Sequence, residues 1–331
     1  MLIGMILAVL FLYLALRNVT WRETLETVRQ VHIEYLVFGF FINSLALLVR
    51  SLRWRTLVSA RKQVGVLPMF WVTAIGYLGN TFLPARAGEL LRSFTLGQTA
   101  GISTSYVLAT ALTERMMDVI ALVITGSLLI TTISHTVPAW LPTTIRWMSL
   151  VGILALILFL LAPRFENFIH RFLSRIHFPE RLNSGLSQFV TQFLLGTQSF
   201  VHPSRAATFI FLSGCTWLLD GFGTIMLARG LNLTITLGQS LLFLAALGLA
   251  SALPSTPGYI GIYQFVAVTV MPAFGISPSQ ALTYIIAGQA VYIVTDVFWG
   301  SIGIWRLGIK PGAILAGKWQ NIVIESDSEK S

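Results

Sequence analysis

Glu89 and Arg92 stand three residues apart, directly after the run Leu83-Pro84-Ala85-Arg86-Ala87-Gly88. That spacing puts both side chains on one face of a helix. Pro84 removes a backbone N–H, and Gly88 permits the chain to reverse. A helix starting at Gly88 offers unpaired N–H groups and the positive end of its dipole to an anion. Arg86 and Arg92 are attached to this break, while Arg50 and Arg53 close an apolar run upstream. The guanidinium fork matches phosphate oxygens, so convergence of Arg50, Arg53, Arg86 and Arg92 would make a phosphate site. For Arg50 and Arg53 the plainer alternative is the excess of positive charge at cytoplasmic helix ends.

A second charged block, Glu114-Arg115-Met116-Met117-Asp118, precedes the uncharged run Val119–Ile133. At about 1.5 Å per residue that run spans about 22 Å, short of a hydrocarbon core of about 30 Å. Part of the block must therefore lie at membrane depth. Glu114 and Asp118 share a face and Arg115 points elsewhere. Two roles stay open: an ion pair with an arginine of the break, or direct handling of substrate or protons. Pro254, Pro257 and Gly258 form a later break, followed by Tyr259, Tyr263 and Gln264 and no formal charge. Asp220 and Asp296 are lone acids in apolar surroundings, suited to pairing with a distant arginine or to carrying a proton. The histidines show no metal-ligand spacing and no nucleophile partner. No cofactor and no metal site is implied.

What must position these residues follows from composition. Of 331 residues, 55% are hydrophobic and 11% charged, against about 25% charged in soluble domains. So few charges exclude both a soluble globule and a disordered chain. Long uncharged runs without alternation mean helices rather than a barrel. The net charge of +9 fits basic cytoplasmic loops. No basic run is interleaved with aromatics, which argues against nucleic acid. The single cysteine, Cys215, excludes an intrachain disulfide.

The expected fold is an all-α polytopic integral membrane protein, residues 1–331 forming one transmembrane domain. Spans are expected at Met1–Leu16, Tyr35–Ala60, Ser103–Ile133, Trp147–Ala162, Ser204–Ala228 and Ser277–Arg306, with an amphipathic interfacial helix within Arg17–Glu34. Leu67–Pro84 with Gly88–Gln98 reads as a re-entrant hairpin, because Arg86, Glu89 and Arg92 each cost about 2.5–3.5 kcal/mol in lipid. Leu237–Pro254 with Tyr259–Phe274 reads as a second hairpin. Leu-Pro-x-x-x-Gly recurs at Leu83 and Leu253, an offset of 170 residues. Basic segments placed inside make the two hairpins open to opposite sides. The expectation is an inverted repeat, about 35–133 and about 204–307, joined by a cytoplasmic segment 163–203 and followed by a cytoplasmic tail 308–331. Such repeats with broken helices characterise many secondary transporters. Both termini are expected in the cytoplasm, in the cytoplasmic membrane of a prokaryote.

The combination Arg50-x-x-Arg53-Trp54, Asn80-x-x-Leu83-Pro84-x-x-x-Gly88-Glu89-x-x-Arg92, Glu114-Arg115-x-x-Asp118 and Pro254-x-x-Pro257-Gly258 resembles the transmembrane, flippase-like domain of lysylphosphatidylglycerol synthases. The resemblance runs from about Leu7 to Leu307. It implies movement of an anionic or aminoacylated lipid between leaflets. The sequence stops soon after the last span, where bifunctional members continue into a cytosolic transferase domain, so a stand-alone member is expected.

Function is therefore expected to be that of a lipid flippase or transporter for an anionic phospho- or polyprenyl-type lipid, not an enzyme. Arg50, Arg53, Arg86, Glu89, Arg92, Glu114, Arg115, Asp118, Tyr259 and Gln264 are the expected substrate contacts. Expected partners are the membrane lipid, lipid-synthesis enzymes and further copies of the chain. No phosphate-binding loop is present for direct use of ATP. An intramembrane lipid-modifying enzyme and a non-transporting scaffold of a lipid or cell-envelope synthesis complex are the alternatives.

Overall fold

The computed structural model describes residues 2–17, 19–83, 87–130, 202–251 and 257–310, together with isolated positions between 147 and 200 and residue 312. The described helices longer than one turn follow apolar runs, except one charged helix, Trp21–Arg29. They are α1 (Leu2–Leu16), α2 (Trp21–Arg29), α3 (Ile33–Val58), α4 (Val66–Phe82), α5 (Gly88–Ala100), α6 (Thr104–Ile130), α7 (Pro203–Arg229), α8 (Leu237–Ala250), α9 (Ile262–Val270) and α10 (Pro278–Arg306). Pro84, Arg86 and Pro254 lie outside the described residues. So do most of the expected span Trp147–Ala162, of the connecting segment and of the tail.

Among the described residues, Ile33–Val58, Pro203–Arg229, Pro257–Phe274 and Pro278–Arg306 are long and apolar enough to cross a membrane. Helix α6 has the length but carries Glu114, Arg115 and Asp118. The outward faces are apolar: Phe41, Phe211, Val294 and Trp305 are exposed, while Arg53, Arg92, Glu114 and Thr113 are buried. That inside-out distribution suits lipid outside and polar contacts inside. Helices α8 and α10 start on capping boxes, Thr236 with Gln239 and Ser277 with Gln280, which satisfy N–H groups that lipid cannot.

Helices α3 and α7 pack antiparallel, with Gly230 against Tyr35, Gly223 against Ile42 and Arg50 against Asp220. Helix α4 packs antiparallel on α10, where Gly300 meets Leu78 and Gly303 meets Trp71 and Ile75. Helix α8 lies on α6 in the same way, with Gly248 against Leu122 and Ala245 opposite Gly126. Small residues at these crossings allow close backbone approach.

The first break is tightest at Gly88. A Cβ there would lie 2.0 Å from the Gly76 carbonyl oxygen and 2.5 Å from the Asn80 nitrogen. Helix α5 can therefore lie back along α4 only with glycine at this position. The second break delays its helix beyond the expected start at Tyr259. Gly258, Tyr259 and Gly261 have φ of 68°, 59° and 92°, and α9 begins only at Ile262. Pro272 then turns the last part of the expected arm into a 3-10 turn, Met271–Phe274.

Candidate functional site

Helices α3, α5 and α6 bring six charges into one closed ring. Arg53 donates to Glu114 (2.8 Å) and to Asp118 (2.6 Å). Arg92 donates to the other Glu114 oxygen (3.0 Å) and pairs with Glu89 at 2.5 Å. Arg115 donates twice to Glu89, at 2.9 and 2.6 Å, and lies 3.5 Å from Asp118. Charges alternate around the circuit Arg53–Glu114–Arg92–Glu89–Arg115–Asp118, so the ring is neutral overall. The alternation lets each ion offset the desolvation of its neighbours, which isolated charges at this depth could not do. Trp54 supports it from below: the Arg92 guanidinium stacks 4.2 Å from its ring, and its Nε1 donates to Thr110.

The ring is dry on one side and wet on the other. Side chains of Arg53, Arg92 and Glu114 are each 2% exposed, whereas Arg115 is 33% exposed. Arg115, Glu89 and Asp118 face a cavity of about 350 Å³. Its lining also includes Arg50, Asp220, Tyr292 and Asp296, and Gly258, Tyr259, Tyr263 and Gln289 at and beside the second break. Arg50 binds both Asp220 oxygens, at 2.7 and 2.5 Å, and its guanidinium stands 5.6 Å from the Tyr77 ring. Asp296 accepts a hydrogen bond from the Thr81 hydroxyl at 2.7 Å.

The second break is held by a relay of amides. Gly261 N–H donates to Gln264 Oε1 (2.7 Å), Gln264 Nε2 donates to Gln289 Oε1 (2.5 Å), and Gln289 Nε2 donates to the Gly258 carbonyl (2.9 Å). Tyr259 and Tyr263 stack with centroids 4.6 Å apart and planes 6° apart. Thr81, at the end of α4, has its carbonyl beside Gly258. The start of the first break and the end of the second are thus neighbours.

Of the residues singled out in the sequence, Arg50, Arg53, Glu89, Arg115, Asp118, Asp220, Tyr259 and Asp296 line this cavity. Arg92 and Glu114 stand behind its wall, in the dry side of the ring. Gln264 is 6% exposed, and its amide is engaged with Gly261 and Gln289, so it shapes the break rather than facing the cavity. Arg50, Arg53 and Arg92, expected to converge on a phosphate, each bind a carboxylate, as does Arg115; Arg92–Glu114 and Arg50–Asp220 are the ion-pair alternatives that the sequence left open. Tyr77, Thr81, Trp217, Gln289 and Tyr292 also belong to the site, and as uncharged residues within apolar helices they carry no sequence signal. Among the described residues no group of three or more His, Cys, Asp or Glu could hold a metal ion.

A family model described as the lysylphosphatidylglycerol synthase TM region matches residues 1–300. The chain belongs to this family. Two UPF0104 membrane proteins of archaea are similar to it. One, from Methanocaldococcus jannaschii, is 24% identical over 67% of this chain and 91% of the relative. Another, from Methanothermobacter thermautotrophicus, is 23% identical over 81% of this chain and 82% of the relative. No solved structure matches. Within this lysylphosphatidylglycerol synthase TM-region family, the chain is a helical membrane protein with an internal, charge-lined cavity.

Proposed function

We propose that this protein moves the headgroup of an anionic phospho- or polyprenyl-type lipid between the leaflets of the cytoplasmic membrane through the cavity between the two breaks. The observation that carries this reading is the graded exposure of the charge ring. Arg92 and Glu114 stand sealed behind the wall and supply rigidity, Arg53 lines it almost fully buried, and Arg115 presents a partly open guanidinium to the cavity beside Glu89. A phosphate entering there exchanges one carboxylate partner for another oxyanion, a smaller penalty than ionising a dry site. Acyl or prenyl chains stay in the bilayer, alongside the exposed apolar faces.

The two halves work, in this reading, as an inverted repeat. Helices α3 and α7 begin 170 positions apart, as do the two Leu-Pro-x-x-x-Gly segments. The matched crossings of α4 on α10 and α8 on α6 support the same relation. Both termini then lie in the cytoplasm, the breaks act as two re-entrant hairpins, and transport proceeds by rocking one half against the other. The chain does this without enzymatic chemistry.

The test is purified protein in vesicles with a fluorescent phosphatidylglycerol, the label in the outer leaflet being read by a membrane-impermeant quencher. Protein-dependent loss of inner-leaflet protection is expected, reduced by Arg115→Gln. Vesicles that exchange label no faster than protein-free ones remove transport and leave the scaffold reading.

A further inference from the structure

One acid at the site is left without a cation. Glu89, Glu114, Asp118 and Asp220 each bind a guanidinium. Among the described residues Asp296 forms no ion pair, and the Thr81 hydroxyl is its hydrogen-bond partner. Asp296 lines the same cavity. On α10, a helix of 29 residues, it lies about 27 Å from the Pro278 end and about 15 Å from the Arg306 end at about 1.5 Å per residue. Its carboxyl is therefore within the hydrocarbon depth.

We propose that Asp296 binds the proton that accompanies an anionic headgroup into the cavity, so that lipid movement is coupled to proton movement. This rests on the transport reading above. With Asp296 ionised, the charges of the ring, the Arg50–Asp220 pair and Asp296 leave the site one negative charge in excess. An anionic headgroup is then repelled. Protonation of Asp296 makes the site neutral and admits the anion. When the headgroup leaves, the proton returns to water on the side of release. One monoanion and one proton cross together, and no net charge moves.

The hydroxyl of Thr81 makes both states of Asp296 structurally acceptable. Its oxygen lies 2.7 Å from Asp296 Oδ2 and 3.2 Å from the Tyr77 carbonyl, yet it owns a single hydrogen. Facing a carboxylate, it donates to Asp296. Facing a carboxylic acid, it accepts from Asp296 and turns its own hydrogen to Tyr77. The bond between α4 and α10 persists with its direction reversed, at the point where Thr81 adjoins Gly258.

The neighbours leave this role to Asp296. From α3 and α7 the facing charges are Arg50 and Asp220, committed to each other. From α4 and the second break come phenols, Tyr77 and Tyr259, with Tyr263 on α9 and Tyr292 on α10 itself. Helix α2 contributes Glu23, which is bonded to Ser277 at the far end of α10. Across the cavity Glu89 and Asp118 are held by Arg115 and Arg53.

The experiment uses the full chain in phosphatidylcholine vesicles with fluorescent phosphatidylglycerol, with and without an imposed difference of one pH unit. For one proton per lipid, the leaflet ratio of the label should shift about tenfold with the gradient. Asp296→Asn should show no shift. A wild-type protein that moves label but ignores the gradient overturns the proposal, as does an Asp296→Asn protein that follows it. Vesicles in which nothing moves at any pH sink the transport reading instead. The protonation of Asp296 on which the proposal depends is read separately, by infrared difference spectra on acidification from about pH 8 to about pH 5, the span of physiological titrations. A carboxylic acid band present in wild type and missing from Asp296→Asn supports it, and a wild-type spectrum without that band overturns it.

Discussion

Arg50 and Asp220 stand 170 residues apart and bind each other, Arg50 Nη2 lying 2.7 Å from Asp220 Oδ1. The same separation relates the two proline–glycine breaks. Because α3 and α7 run antiparallel, residues at equivalent positions can meet at one point of the crossing and diverge elsewhere. Gly230 faces Tyr35 and Gly223 faces Ile42, so the register passes through equivalence near Arg50. In the proposed inverted repeat, the pair marks the place where the two halves touch like with like.

Removing one partner there should be costly and swapping them should not. Both side chains are largely buried, 14% and 10% exposed. Arg50→Gln or Asp220→Asn leaves an uncompensated charge, a loss of about 3–5 kcal/mol. The double variant Arg50→Asp with Asp220→Arg should recover much of it, because near-equivalent positions offer the two side chains similar surroundings. Thermal unfolding of the four proteins in nanodiscs compares the loss in each single variant with the recovery in the swapped pair. A double variant no more stable than either single variant would show that the surroundings are not alike.

The charge ring separates stability from transport. Glu114→Gln and Arg92→Ala strip partners from its dry side and should prevent accumulation of folded protein, each costing about 3–5 kcal/mol. Arg115→Gln acts on the partly exposed corner and should leave a folded protein with at least severalfold slower lipid movement. Size-exclusion profiles and flipping rates, measured together, check both statements. Normal folding of Arg92→Ala would show that the ring does not stabilise the fold.

Two glycines give opposite expectations for the same substitution. At Gly88 the new methyl would collide with the Gly76 carbonyl, 2.0 Å from its built position. Gly88→Ala must push α5 away from α4 and should destabilise by more than an ordinary overpacking, which costs about 1–3 kcal/mol. At Gly214, in the interior of α7, nothing lies within 4 Å. Gly214→Ala should raise stability by up to about 1 kcal/mol through helix propensity. Unfolding midpoints in the same detergent compare the two directly.

The charged part of the site was readable because charge in an apolar run announces itself. Glu89, Arg92, Glu114, Arg115, Asp118, Asp220 and Asp296 all stand out by composition alone. That they pair was one of two open readings, and which residue meets which was not readable. Arg53 meets Glu114 across 61 positions, and spacing along one helix says nothing about which helix lies opposite. The choice between ion pairing and phosphate binding therefore stayed open until the helices were placed. Helix existence followed the apolar runs, and α3 starts within two residues of the expected Tyr35. The second break was read with its helix too early, since Tyr259 at φ 59° is a backbone state no side-chain pattern foretells. Thr81 and Gln289 were silent for a related reason: a single uncharged polar residue inside a helix has no period.

Gln289 is where that silence matters most. It accepts from Gln264 and donates to the Gly258 carbonyl, while Gln264 accepts from the Gly261 N–H. Two positive-φ glycines are thus tied through side-chain amides to α10, the helix that carries Asp296. Buried amides in such a chain are satisfied together or not at all. Gln289→Leu removes both bonds at once, leaving the Gly258 carbonyl and the Gln264 amide without partners at a cost of about 1–3 kcal/mol each. The break should open more often, so hydrogen exchange at Gly261 should speed up while exchange in the middle of α3 stays unchanged. Gln289→Glu is the sharper variant. It keeps an acceptor for Gln264 but, when ionised, presents only acceptors to the Gly258 carbonyl, so exchange should rise there too, less than in Gln289→Leu at low pH and comparably at high pH. Equal protection at Gly261 in wild type and both variants would mean that the backbone alone holds the turn and that the relay is a consequence of it.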